Sequence, residues 1–228
     1  MAVDAATLAK GIDQVARRGI ALEKLGIARE QLITALDMFL IDASAISVHS
    51  LAGNAREILA RLCEIHDKGG FIAHAMREWP DLPRQTLLGI INNFRNCFKH
   101  LDRDDAHALA QFNDFQNDHM LFMAIYDYRA LTGKMTLSMA IFYNWYFVTY
   151  PEKLIPERAD FGSELKPILQ APRREQKRLL CKLIDYHTVE LAGGAIGELT
   201  HADVIEALDR SVSGIRVSPQ GQANEERS

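Results

Sequence analysis

Apolar residues recur at helical spacing along most of the chain. Between positions 24 and 41, Leu25, Ala28, Leu32, Leu36 and Phe39 fall three or four apart, one stripe on one helix face. Ser44 is a good N-cap for the next element. Behind it Val48, Leu51, Ala55, Ile58, Leu62 and Ile65 step by three and four, a seam that packs on a neighbouring helix. Gly69-Gly70 is expected to close that helix. A weaker helix follows over 71–79, then Pro80 and Pro83 punctuate the chain, the latter as a first-turn proline. Leu87, Ile91, Phe94, Phe98 and Leu101 make a second seam over 84–101. A polar, acidic connection over 102–113 leads to a helix over 115–131, stopped by Thr132-Gly133.

Thr136 can cap the next helix, 137–150, which is apolar nearly all round. Such a helix must be covered on every side, as a central core element or in a subunit interface. Four prolines make 151–172 a run of turns, after which 173–191 reads as helix. Thr200 is expected to cap a short helix over 201–210. At the start of the chain, 4–18 reads as a separate helix, with a break at Gly19 and around Gly26. No segment alternates convincingly with a strand period. The expected fold is all-α, a bundle of about eight to nine helices. It forms one domain over 1–211, with a disordered tail over 212–228 that lacks periodicity.

Composition narrows the setting. In 228 residues, 48% are hydrophobic and 25% charged, an ordinary globular balance. A net charge of −4 argues against non-specific coating of nucleic acid or acidic membranes. The three cysteines, Cys63, Cys97 and Cys181, form no C-x-x-C pair, so neither a disulfide framework nor a thiolate zinc site is expected. The longest apolar stretch is shorter than the roughly 20 residues of a membrane span, and Asn144 interrupts it. A cytoplasmic protein with no membrane partner is the expectation.

The common catalytic signatures are missing. Gly133-Lys134-Met135-Thr136 lacks the earlier glycine and the leading strand of a phosphate loop. There is no G-x-G-x-x-G, G-x-S-x-G or H-E-x-x-H, and nothing calls for a cofactor. The unusual segment is 92–105, Asn-Asn-Phe-Arg-Asn-Cys-Phe-Lys-His-Leu-Asp-Arg-Asp-Asp. On a helix, Asn92, Asn96 and Lys99 share a face, with His100 and Arg103 beside it and the apolar seam opposite. Within it, Arg95-Asn96-x-x-x-His100 resembles the R-x4-H motif of the HEPN superfamily, helical proteins that include metal-independent ribonucleases. That resemblance implies a homodimer in which Arg95, Asn96 and His100 of two subunits act on an RNA phosphodiester. Arginine would stabilise charge on a pentacovalent phosphate and histidine would shuttle the proton.

A second resemblance covers more of the chain. Segment 47–59, Ser-Val-His-Ser-Leu-Ala-Gly-Asn-Ala-Arg-Glu-Ile-Leu, and segment 96–104, Asn-Cys-Phe-Lys-His-Leu-Asp-Arg-Asp, look like paired signatures in a group of uncharacterised helical bacterial proteins. That framing emphasises Asn96, Lys99, His100, Asp102 and Asp104, and it implies no particular activity. The same residues can be read as a helix C-terminal cap, since cations there favour the helix dipole. They can also be read as a buried polar network. If the two seams pack together, His49 and Arg56 would face Asn96 and His100, joining the signature segments. A metal site from His100, Asp102, Asp104 and His107 is the weakest alternative. Arg173, Arg174, Lys177 and Arg178 line up as a basic stripe that RNA phosphates could meet, or as an ordinary solvated face. The leading expectation is a helical protein acting through self-association or binding of a protein partner, and the HEPN-like nuclease is the alternative.

Overall fold

The computed structural model describes residues 5–99, 109, 111–151, 166–191 and 199–200, with side chains over 23–99, 109, 111–151 and 168–188. The fold is all-α. Seven helices of eight residues or more lie among the described residues: α1 (Ala5–Leu40), α2 (Ala45–Ile65), α3 (Phe71–Glu78), α4 (Arg84–Lys99), α5 (Phe115–Thr132), α6 (Leu137–Thr149) and α8 (Arg173–Leu191). A one-turn helix, α7 (Lys166–Leu169), precedes the last. Lys134 and Met135 pair antiparallel with Thr200 and Leu199, a two-residue ribbon that joins the α5–α6 turn to a later part of the chain. Thr200, expected as a cap, is thus part of that pairing, and the expected helix after it and the tail over 212–228 lie outside the described residues.

The first two expected helices are one. α1 runs without a break through Gly19 and Gly26. A glycine inside a helix costs only about 1 kcal/mol against alanine. The stripe of Ala28, Leu32, Leu36 and Phe39 is fully buried, and that packing outweighs the penalty. α2 begins as expected, with the Ser47 N–H donating to Ser44 Oγ at 3.4 Å. Its end differs from expectation. The chain turns at Asp67, whose φ of 50° is left-handed, while Gly70 caps the start of α3. Gly70 is needed for another reason. A Cβ there would lie 2.9 Å from both Asp127 Oδ1 and Cys63 Cβ. α5 ends where Gly133 takes φ 71°, and its N–H donates to Arg129 O at 2.8 Å.

α1, α2, α5 and α6 hold the core. From Met120 to Ile125 every residue of α5 is buried, and α6 is buried from Met139 to Tyr146. The all-round apolar helix is therefore a core element along most of its length. Asn144 sits inside it because its Nδ2 donates to Ala140 O at 3.0 Å, one turn back in the same helix. Phe39, Phe142 and Trp145 meet edge-on or tilted at 5.3–6.0 Å, and Phe122 stacks on Tyr146 at 4.0 Å. α3 and α4 sit at the side, around a small cluster of Ile72, Ala75 and Leu87. No described helix is long and apolar enough to cross a membrane.

The two kinds of glycine give opposite expectations. Gly26 is exposed and a Cβ there meets nothing within 4 Å. Gly26→Ala should stabilise the protein by about 0.5–1 kcal/mol, whereas Gly70→Ala should destabilise it by about 1–3 kcal/mol through overpacking. Urea unfolding of both variants measures this, and equal midpoints would contradict it.

Candidate functional site

The two signature segments meet where α4 crosses α2. Arg95 leaves α4 and lays its stem over Gly53, where a Cβ would come within 2.9 Å of Arg95 Cδ. The guanidinium then reaches along α2. Its Nε donates to Asn54 Oδ1 at 3.3 Å and its Nη2 pairs with Glu57 Oε2. One turn away, Arg56 Nη2 donates to Asn92 Oδ1 at 2.9 Å. Polar contacts join α2 to α4 through Asn54, Arg56, Glu57, Asn92 and Arg95, whereas the expectation was for His49 and Arg56 to face Asn96 and His100. Asn96 is half-buried on the same helix and Lys99 is exposed. His100, Asp102 and Asp104, with Arg103 and His107, lie outside the described residues.

His49 belongs to a different set of contacts. It is 2% exposed, and the rings of Phe94, Phe98 and Phe112 surround it at 6.0, 5.7 and 5.3 Å. Its Nδ1 lies 3.1 Å from Asn117 Oδ1. Asn117 Nδ2 donates to Ala45 O at 3.1 Å and to Asp114 Oδ1 at 3.3 Å, so its Oδ1 is the acceptor face. His49 is therefore protonated on Nδ1, and the lone pair is on Nε2, which has no hydrogen-bond partner among the described residues. Burial lowers the pKa of His49 to about 4, against the raising effect of the Asn117 bond, and the Arg95 charge adds to the lowering. The ring is neutral at pH 7.

Asn117 links this site to a buried ion network at the start of α8. Arg173 Nε donates to Asp114 Oδ2 at 2.9 Å, and Arg173 Nη2 pairs with Asp118 Oδ1. Tyr150 donates to the other oxygen of Asp118 at 2.8 Å. Lys177 Nζ lies 2.8 Å from Asp42 Oδ1 and 2.8 Å from Asp114 Oδ2. The Arg173 guanidinium also sits 4.8–5.2 Å from the rings of Phe39, Phe115 and Trp145. Burial works against ionised Asp114, but the hydrogen bonds and charges of Lys177 and Arg173 outweigh it and hold the carboxyl below its usual range. Asp118 is buried more deeply, and burial pushes it up despite Arg173 and Tyr150.

The basic stripe therefore divides. Lys177 is 1% exposed and Arg173 is largely covered, both turned toward carboxylates of the bundle. Arg174 is exposed, and Arg178 is exposed and pairs with Glu175 on its own helix. Periodicity could not separate the two halves, because the acids that draw Arg173 and Lys177 inward lie far along the chain. The readable signal was in α5: Asp127 interrupts a run from Met120 to Tyr128 that is otherwise apolar or aromatic.

Asp127 faces α3 from the far end of α5. Its Oδ1 accepts from the Phe71 N–H at 2.6 Å, so a carboxylate from one helix caps the start of another. Burial raises its pKa to about 6, while the Phe71 bond and the Arg56 charge pull the other way. Beside it, burial pushes the Cys63 thiol up to about 12, with Asp127 and Glu64 adding to the shift, which makes Cys63 inert as a nucleophile. Among the described residues no group of three or more His, Cys, Asp or Glu could hold a metal ion. No family model, no curated protein and no solved structure matches this chain.

His49 and Asp127 act on stability with opposite sign. As pH falls from 6.5 to about 4 the unfolded chain protonates His49 first, so folding loses up to about 3 kcal/mol. Asp127 is protonated first in the folded chain, from about 6 down to 3.8, and folding gains up to about 3 kcal/mol. The two largely offset. Asp127→Asn keeps an acceptor for the Phe71 N–H and removes only the gain. Its stability should fall by about 2–3 kcal/mol more than wild type between pH 6.5 and 4, measured by urea unfolding at each pH. Parallel profiles would refute the assignment. The ion network gives a second expectation: Arg173→Ala strands Asp118 and should cost about 3–5 kcal/mol, while Arg174→Ala should leave the midpoint unchanged.

Proposed function

We propose that this chain is a helical protein that works through self-association or partner binding, with a homodimer as its working form. One observation carries the reading. Ile41 is 73% exposed at the α1–α2 turn, and Ile46 and Phe115 are exposed at the starts of α2 and α5. These residues belong to one end of the bundle. The Asn117 bond to Ala45 O sets the start of α5 against the start of α2, and Lys177 ties Asp42 to α8. Apolar side chains held on a rigid, polar-rimmed surface are the ordinary makings of a protein contact.

The strong cations favour the same reading. A phosphodiester needs arginines whose donors are free to meet it. Arg95 is 8% exposed, and its donors face Asn54 and Glu57 of its own chain. A HEPN-like nuclease would require Arg95 to leave both partners, and two of the four stripe residues, Arg173 and Lys177, are engaged in the same way.

Sedimentation velocity over a concentration series reaching about 100 µM tests the proposal. Wild type should show a monomer–dimer equilibrium. Ile41→Glu and Ile46→Glu should shift it to monomer with helicity unchanged. In parallel, wild type and His100→Ala are incubated with RNA. A wild type that stays monomeric throughout, or RNA cleavage that His100→Ala abolishes without unfolding, overturns the reading.

A further inference from the structure

His49 combines features that a packed core histidine does not need. It is buried and neutral, its Nδ1–H is fixed by Asn117, and its Nε2 lone pair is unanswered. A buried acceptor without a donor costs about 1–3 kcal/mol. The surroundings are also unusual. Phe94, Phe98 and Phe112 are each only half-buried, so the aromatic wall around His49 reaches the surface. Phe94 and Phe98 come from α4. Phe112 precedes α5 and closes the set, 5.3 Å from His49, 5.3 Å from Phe94 and 5.0 Å from Phe98. Its ring fills an aromatic space but carries no donor.

We propose that His49, Phe94 and Phe98 form a slot for a phenolic ring, with Phe112 as its resident plug and His49 Nε2 as the acceptor of the phenol O–H. The chemistry selects this ligand class. Aromatic walls favour a flat ring over an aliphatic alcohol. A neutral imidazole nitrogen wants a donor, which a carboxylate lacks. An ammonium group would enter without a carboxylate among the ring's contacts with described residues and with Arg95 charged nearby. A phenol supplies both the ring that Phe112 mimics and the donor that it lacks. The slot adjoins the exposed apolar end of the bundle through Asn117, but its test reads binding of a phenol and not association of the chain, so each idea can fail alone.

The test uses the full chain, labelled with 15N at histidine, titrated with p-cresol and with toluene. The His49 Nε2 shift should move saturably with p-cresol, which should bind at least about tenfold more tightly than toluene, the worth of one hydrogen bond. Phe112→Ala should tighten p-cresol by about tenfold, because the competing ring is gone. His49→Phe should bind p-cresol and toluene alike. If that variant does not fold, Phe112→Ala still decides the location. N-acetyl-tyrosinamide distinguishes the source: binding comparable to p-cresol supports a tyrosine side chain as the ring, and binding of p-cresol alone supports a small phenol. No movement of the Nε2 shift, equal affinity for toluene, or a Phe112→Ala affinity equal to wild type would each overturn the proposal.

Discussion

A carboxylate or carboxamide taken out of water has to be met by donors, and in a bundle those donors come from other helices. α5 and the residue before it turn Asp114, Asn117, Asp118 and Asp127 inward. Arg173 and Lys177 of α8 meet Asp114, and Arg173 with Tyr150 meets Asp118. Ala45 O and His49 of α2 meet Asn117, and the first N–H of α3 meets Asp127. Each pairing fixes the register of a different helix against α5. Apolar burial makes the bundle compact, and a Leu or Ile face can slide by a turn at modest cost. A buried acid cannot slide away from its partner without several kcal/mol of loss. The inward polar groups of α5 thus set where α2, α3 and α8 sit.

The same requirement explains the uneven legibility of the sequence. Helix positions followed from local periodicity. The stripe of α1, the Ser44 and Thr136 caps and the Gly133 stop were all readable because cause and effect lie within a few residues. The uninterrupted α1 was not readable, since Gly19 and Gly26 carry a breaking signal that buried Ala28, Leu32 and Phe39 override from a distance. At the candidate site the outcome is mixed. Arg56 was expected at the meeting of α2 and α4 and has a partner there in Asn92, but His49, expected beside it, bonds to Asn117 of α5. The other residues of that meeting were not readable. Helical-wheel reasoning puts Asn92, Asn96 and Lys99 on one face, and Arg95 beside the seam, without showing that Gly53 opens a channel for the Arg95 stem. Arg173 and Lys177 were misplaced on a solvated stripe for a related reason: their carboxylates stand some 60 and 135 residues earlier in the chain.

Arg95 shows how the balance between a structural and a catalytic role is set by exposure and partners. Its side chain is 9% exposed while that of Glu57 is 57% exposed. The ion pair therefore sits at the protein surface, where solvent reduces its worth to about 1 kcal/mol or less. The stem contributes more, because it fills the space that Gly53 leaves on α2. Leu87 and Arg95 are the fully buried residues of α4, so this side chain is one of the anchors of the helix, beside the half-buried Ile91, Phe94 and Phe98. To meet a phosphodiester with its Nε and Nη2 donors, Arg95 would have to leave Asn54 and Glu57. Some of the unanswered groups among the described residues are of another kind. His49 Nε2 is an acceptor in aromatic surroundings, and Ile41, Ile46 and Phe115 are apolar groups facing solvent. The first is an open hydrogen-bond acceptor and the others are open apolar contacts, the two kinds of group that the proposed binding would satisfy.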